Sequence, residues 1–171
     1  MTSLPALSSH SVGQSRRAVE ILSTTPNRQV GHAYGEGIAL TNLGAALHHL
    51  GRDTEAVGYL EQARSVFADI MYDDGLGYAC FDLGQSLLAL GRDQEALASL
   101  RESTDWHAAA GNRNRQAFAL LALGDAAERS QMEPQGHQAW LQAAAIFDEL
   151  GDSTRAAHAR ARAHANSLDV H

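Results

Sequence analysis

Apolar residues fall at three- and four-residue spacing along most of the chain, and the pattern repeats every forty residues. Leu40, Leu43, Leu47 and Leu50 make one face, and Ala56, Leu60, Ala63, Phe67 and Ile70 make the next. That spacing gathers side chains onto one side of an α-helix. Cys80, Leu83, Leu87 and Leu90 repeat the first face; Ala96 and Leu100 repeat the second, with His107 in the slot of Phe67 and Trp106 just before it. A third copy keeps Leu120 and Leu123, then Trp140, Ala143, Phe147 and Leu150. The stretch GIALTNLGAALHHLGRD (Gly37–Asp53) thus recurs as GYACFDLGQSLLALGRD (Gly77–Asp93) and, worn, as AFALLALGDAAERSQME (Ala117–Glu133). A fixed period of this length marks a stack of like helical units.

The breaks between helices carry their own chemistry. Gly51, Gly91, Gly111 and Gly151 are expected to close helices, and Asp53 and Asp93 to cap those that follow. Asp73, Asp74 and Gly75 are expected to form the break between the first two units. In the third unit SQMEPQG (Ser130–Gly136) replaces LGRDxEA, so a clean turn is not expected, although Pro134 suits a helix start. Gly44, Gly84 and Gly124 lie inside helices, where glycine costs about 0.5–1 kcal/mol relative to alanine. Close approach to Ala56, Ala96 or Gly136 on the paired helix is the expected reason. Phe67, Trp106, Trp140 and Phe147 are expected to pack between layers.

These elements predict an all-α protein, an α-solenoid of antiparallel helix pairs with about eight helices: one leading helix, three pairs and a cap. Residues 1–13, Ser-rich with Pro5 and Gly13, read as a flexible leader. The repeat domain spans 14–166. It divides into a half repeat (14–29), repeats 30–70, 71–110 and 111–150, and a capping helix 152–166, before a frayed tail 167–171. The half repeat rests on AVEIL (Ala18–Leu22), which echoes AVGYL (Ala56–Leu60) and stops at TTPN (Thr24–Asn27).

Leu40, Leu43, Gly44, Leu47, Ala56, Leu60 and Ala63 resemble the tetratricopeptide repeat motif. Cys80, Leu83, Gly84, Leu87, Ala96, Leu100 and Ser103 fill the same places, as do Leu120, Leu123, Gly124, Ala127, Gly136, Trp140 and Ala143. The third set departs most, at Ala127 and Gly136. The motif's first aromatic is absent throughout, and the period of forty exceeds the usual value of about thirty-four, which implies longer helices. Such long repeats resemble those of large bacterial transcriptional regulators and signalling ATPases, and LGRDTEA, LGRDQEA and DDGLGYA are similar to the actinobacterial form.

The resemblance implies a right-handed superhelix whose inner face is lined by the first helix of each pair. That lining would comprise Thr41, Ala45 and His48, then Phe81, Gln85 and Leu88, then Leu121, Asp125 and Glu128. Phe81 and Leu88 would hold an apolar side chain of a peptide, unless they are buried against a neighbouring helix; His48, Gln85 and Asp125 would fix polar groups. The family's carboxylate clamp is not matched, because the counterparts of Asn42 are Asp82 and Ala122 and the lining has no lysine.

Charge and composition narrow the partners. The net charge of −7 and pI of about 5.6 disfavour nucleic acid, which needs concentrated basic surface. Arg155, Arg160 and Arg162, with His158 and His164, form the most basic segment and read as a solvent-facing cap. Cys80 is the only cysteine, which excludes an intrachain disulfide and fits a reducing, cytoplasmic setting. No apolar run approaches membrane-spanning length.

Nine histidines raise the question of metal, but His48 and His49 point about 100 degrees apart on a helix, and no HExxH, paired-cysteine or phosphate-loop motif occurs. No metal, cofactor or catalytic residue is expected. Asp73 and Asp74 should be ionised in a wet turn, and Cys80 should be a core residue. The expected function is non-catalytic recognition of a protein or peptide segment through the concave face, as a regulatory or sensing module. The alternatives are a small-molecule receptor or unusual enzyme using the groove, or a self-association scaffold whose exposed solenoid ends build a homo-oligomer.

Overall fold

The computed structural model describes residues 28–165. Within them the chain forms seven α-helices and no strand: α1 (Arg28–His49), α2 (Asp53–Asp69), α3 (Asp73–Ala89), α4 (Asp93–Ala109), α5 (Arg113–Arg129), α6 (Glu133–Glu149) and α7 (Ser153–Ala165). The leader, the AVEIL segment with its TTPN stop, and the tail lie outside the described residues.

The helices are paired and antiparallel. Each packs on the next, and α3 also touches both α1 and α5. The first helices of the pairs therefore form one continuous layer. The second helices make no comparable contact with one another; α2 and α4 are bridged by long side chains such as Arg64 and Glu102, 3.7 Å apart.

Gly51, Gly91, Gly111 and Gly151 take left-handed φ angles of 71–79° and close their helices. The backbone N–H of Arg52 then donates to Leu47 O (2.9 Å) and that of Gly51 to His48 O (2.9 Å). The turn expected to be lost in the third unit is kept. Gln131 takes φ +58°, and Met132 N donates to Ala127 O at 2.8 Å. Backbone hydrogen bonds define this turn, so a non-glycine residue can hold it at a cost of about 1–2 kcal/mol. Met71 (φ +52°) does the same between α2 and α3. The break there is at Ile70–Tyr72, and Asp73, Asp74 and Gly75 form the first turn of α3 instead.

The expected aspartate caps are also corrected. Arg52 and Arg92 occupy the cap positions and make no side-chain capping bond. Asp53 and Asp93 are the first helical residues, where their charge favours the positive helix end. Each cap arginine instead forks onto a glutamate three residues on, Glu55 or Glu95, at 2.6–2.7 Å. Side-chain caps do occur at Asn112, which accepts from Arg115 N (3.2 Å), and Asp152, which accepts from Arg155 N (3.0 Å).

Close packing explains the internal glycines: the expected backbone approach appears where a Cβ on Gly84 would stand 3.4 Å from Ala96 O and one on Gly136 3.1 Å from Gly124 O, and the tightest contacts fall one turn further on. A Cβ on Gly44 would stand 2.4 Å from Leu60 Cγ, and one on Gly84 would stand 2.7 Å from Leu100 Cγ. At Gly124 it would meet Trp140 Nε1 at 2.4 Å. Gly37 and Gly77 make a second such register, beneath Phe67 and His107. Phe67, Trp140 and Phe147 are fully buried between the layers, whereas Trp106 is only half-buried and packs on the Phe67 cluster from outside.

A candidate recognition face on the first-helix layer

The middle helix α3 is buried along most of its length: Leu76, Gly77, Ala79, Cys80, Leu83, Gly84, Ser86 and Leu87 are all enclosed. Tyr78, Phe81, Asp82, Gln85 and Leu88 are half-buried. Their three- and four-residue spacing puts them in one stripe. With α1 and α5 on either side and the second helices behind, that stripe is the open side of α3.

The flanking helices continue it. On α1, Ala45 and His48 are half-buried, and Thr41 is buried with its hydroxyl donating to Gly37 O (2.9 Å). On α5, Leu121 and Asp125 are half-buried and Glu128 is exposed. Several of these side chains already have partners. His48 Nδ1 lies 2.5 Å from Asp53 Oδ1. Asp125 accepts from Trp140 Nε1 (2.9 Å) and pairs with Arg162. Leu121 packs on the Phe147 cluster, Phe81 on the cluster of Leu97, Leu100 and Ala122, and Leu88 against two clusters at once. Gln85 keeps its amide free of hydrogen bonds among the described residues.

Three residues not singled out from the sequence belong to the same face. Asp82 stands in the stripe, and its carboxylate receives no hydrogen bond among the described residues. Burial pushes its pKa up to about 6, opposed by the positive fields of His48 and Arg115. Arg115 lies with its guanidinium carbon 4.7 Å from the centre of the Tyr78 ring, a cation–π contact, and has no carboxylate partner among the described residues. The one signal for Asp82 was its register, shared with Asn42 and Ala122.

Beneath Tyr78 the aromatic slot of the repeat holds His107, buried over Gly77. Its Nδ1 is 3.0 Å from Asp74 Oδ1, which also accepts from Asn112 Nδ2 at 3.0 Å. Burial lowers the His107 pKa, and the hydrogen bond to Asp74 works against that. Asp74 is thus an internal acceptor rather than a residue of a wet turn. Cys80 is in the core as expected: burial pushes its thiol up to about 12, and Sγ lies 3.6 Å from Glu102 Oε2.

The basic C-terminal segment is neutralised by the chain itself. Arg155 pairs with Asp152, Arg160 with Asp148 and Arg162 with Asp125. Among the described residues no three His, Cys, Asp or Glu side chains are grouped to hold a metal ion, and no helix is long and apolar enough to cross a membrane. Two clefts, of about 430 and 290 Å³, lie against the second helices; neither is lined by the α3 stripe.

Residues 35–105 match the family model described as tetratricopeptide repeat. That segment is therefore similar to tetratricopeptide repeats, and the paired helices described above agree with such a fold. A solved structure, the MamA RS-1 ArsTM double mutant, is similar with a TM-score of 0.52 at 17% identity, over 95% of this chain and 98% of that one. At that identity the likeness speaks for the fold alone. No curated protein matches the sequence.

Proposed function

We propose that the first-helix layer is a non-catalytic recognition face for an internal segment of a protein or peptide. The observation that carries this reading is the α3 stripe, where Tyr78, Phe81 and Leu88 alternate with Asp82 and Gln85. Apolar walls interleaved with hydrogen-bonding groups suit an extended chain, which presents both backbone amides and side chains. A small molecule would instead favour an enclosed pocket with converging polar groups. The lining is Thr41, Ala45, His48, Phe81, Gln85, Leu88, Leu121, Asp125 and Glu128, joined by Tyr78, Asp82 and Arg115. In this reading the protein works in the cytoplasm as a regulatory or sensing module. Its LGRDTEA and LGRDQEA turns support the actinobacterial regulator type of repeat.

The test is to select binders from a display library of random peptides on the wild-type protein and titrate them by calorimetry. Gln85→Arg, half-exposed and without a hydrogen-bond partner to lose, is expected to weaken them about tenfold or more while leaving the fold intact. Unchanged affinity would remove the inner face from the reading.

A specific observation favours a second role beside the first. Leu43 is 42% exposed although its counterpart Leu83 is 3% exposed. That edge of α1, uncovered among the described residues, supports end-to-end self-association of the array.

A further inference from the structure

Asp53, Asp74, Asp93, Asp125 and Asp152 are half-buried aspartates, and each holds a hydrogen-bonding or ionic partner. Asp73 and Asp82 are half-buried and hold none among the described residues, and of the two only Asp82 stands in the α3 stripe. Taking a carboxylate partly out of water without a donor to replace the lost hydration destabilises the folded chain. The fold does not demand this: the same register holds Asn42 in one unit and Ala122 in another. A side chain that costs stability and packs no core is best explained by something that completes it from outside.

Its surroundings say what that is. Asp82 stands in the half-buried stripe of α3 between Tyr78 and Gln85, with Phe81 beside it. His48 on α1 and Arg115 on α5 are the basic side chains that act on it across the layer. His48 is held by Asp53, and Arg115 lies over Tyr78. Neither closes a hydrogen bond onto the carboxylate, so its acceptor positions remain for a ligand.

We propose that Asp82 receives the cationic side chain, lysine or arginine, of the segment bound on this face, with the aliphatic stem laid along Phe81 and Tyr78. Long basic side chains bury their stems on apolar surface and carry the charge at the tip, which matches an acidic group set beside aromatic rings. Arg115 supplies the opposite charge one helix away, for a carboxylate or carbonyl of the same segment. The recognised chemistry is a basic residue close to an acidic or backbone acceptor. This rests on the reading that the inner face binds peptide.

The test uses two blocked amino acids, N-acetyl-arginine methylamide and N-acetyl-glutamate methylamide, titrated into isotope-labelled wild type and Asp82→Asn. The arginine probe is expected to shift the resonances of Tyr78–Gln85 and draw the Asp82 carboxyl titration below its resting value of about 6. Asp82→Asn should bind that probe about tenfold more weakly and melt at a higher temperature. The glutamate probe should leave the Asp82 carboxyl unmoved.

Equal binding of the arginine probe to both proteins, or a lower melting temperature for Asp82→Asn with binding retained, overturns the proposal. The two readings fail separately. Selected peptides that bind wild type and Asp82→Asn alike keep the peptide-binding face and remove Asp82 from it. An arginine probe that binds at Asp82 when no peptide is ever selected keeps this site and removes the peptide.

Discussion

Asp74 and Asp82 lie two turns apart on α3, and they do opposite things to stability. Asp74 accepts from Asn112 and holds His107; Asp82 receives no hydrogen bond among the described residues. The pKa of Asp82 is raised from 3.8 to about 6, so the folded state holds its proton more tightly than the unfolded chain. The stability this confers is fully present below about pH 4 and is lost as pH rises through about 6. Asp82→Asn should therefore stabilise the protein at pH 7, by about 1–3 kcal/mol, and by little at pH 4. Urea unfolding at the two pH values measures the difference.

His107 runs the other way. Its pKa is lowered, so its contribution is present above about pH 6.5 and fades as pH falls through the folded value. His107→Phe, matching Phe67 in the first unit, should change stability at pH 7 by less than about 1.5 kcal/mol and improve it at pH 5. Thermal melts at both pH values check this.

At the level of helices, the internal glycines were readable because a residue costly to a helix recurred at one register. Their contact with Leu60, Leu100 and Trp140 was not readable, since the small residues one turn earlier, Ala56, Ala96 and Gly136, offered the simpler close approach. Gly44→Ala should gain helix propensity yet lose about 1–3 kcal/mol overall, because the new methyl would meet Leu60. Chemical denaturation reads the sign directly.

The turn at Gln131 was missed for the opposite reason: the left-handed residue there is not glycine, and backbone bonds alone hold it. Gln131→Gly should stabilise by about 1 kcal/mol, seen as a higher melting temperature. The caps were misassigned because the helices after LGR start one residue earlier, with arginine in the cap position. On the candidate face, the apolar members followed from periodicity. Asp82 and Arg115 did not, since a charge beside a leucine-rich face reads as a departure from pattern until the neighbouring helices are placed.

Among the described residues, the array is asymmetric in how its edges are finished. At the C-terminal side α7 buries Ala156, Ala159 and Ala163 and turns paired arginines outward. On α1 the Leu43 edge has no such cover among the described residues. If copies join through that edge, Leu43→Glu should convert an associating protein to a monomer, as judged by light scattering across a concentration series. An unchanged mass would leave the edge with no role in assembly.

The cross-links between helices, Arg64 to Glu102 from α2 to α4, Arg129 to Asp93 and Arg113 to Glu149 between successive helices, are surface pairs of small individual worth. They tune the stack rather than hold it.

Backbone packing joins each helix to its neighbours in the chain and, in the first-helix layer, to the next pair, while the second helices meet through side chains alone. Contacts this local let a chain fold quickly, because few long loops must close before burial begins. They also set how the protein yields to force. Pulled from its two ends, it should not fail all at once but shed helix pairs in turn, giving way like a spring that uncoils under load.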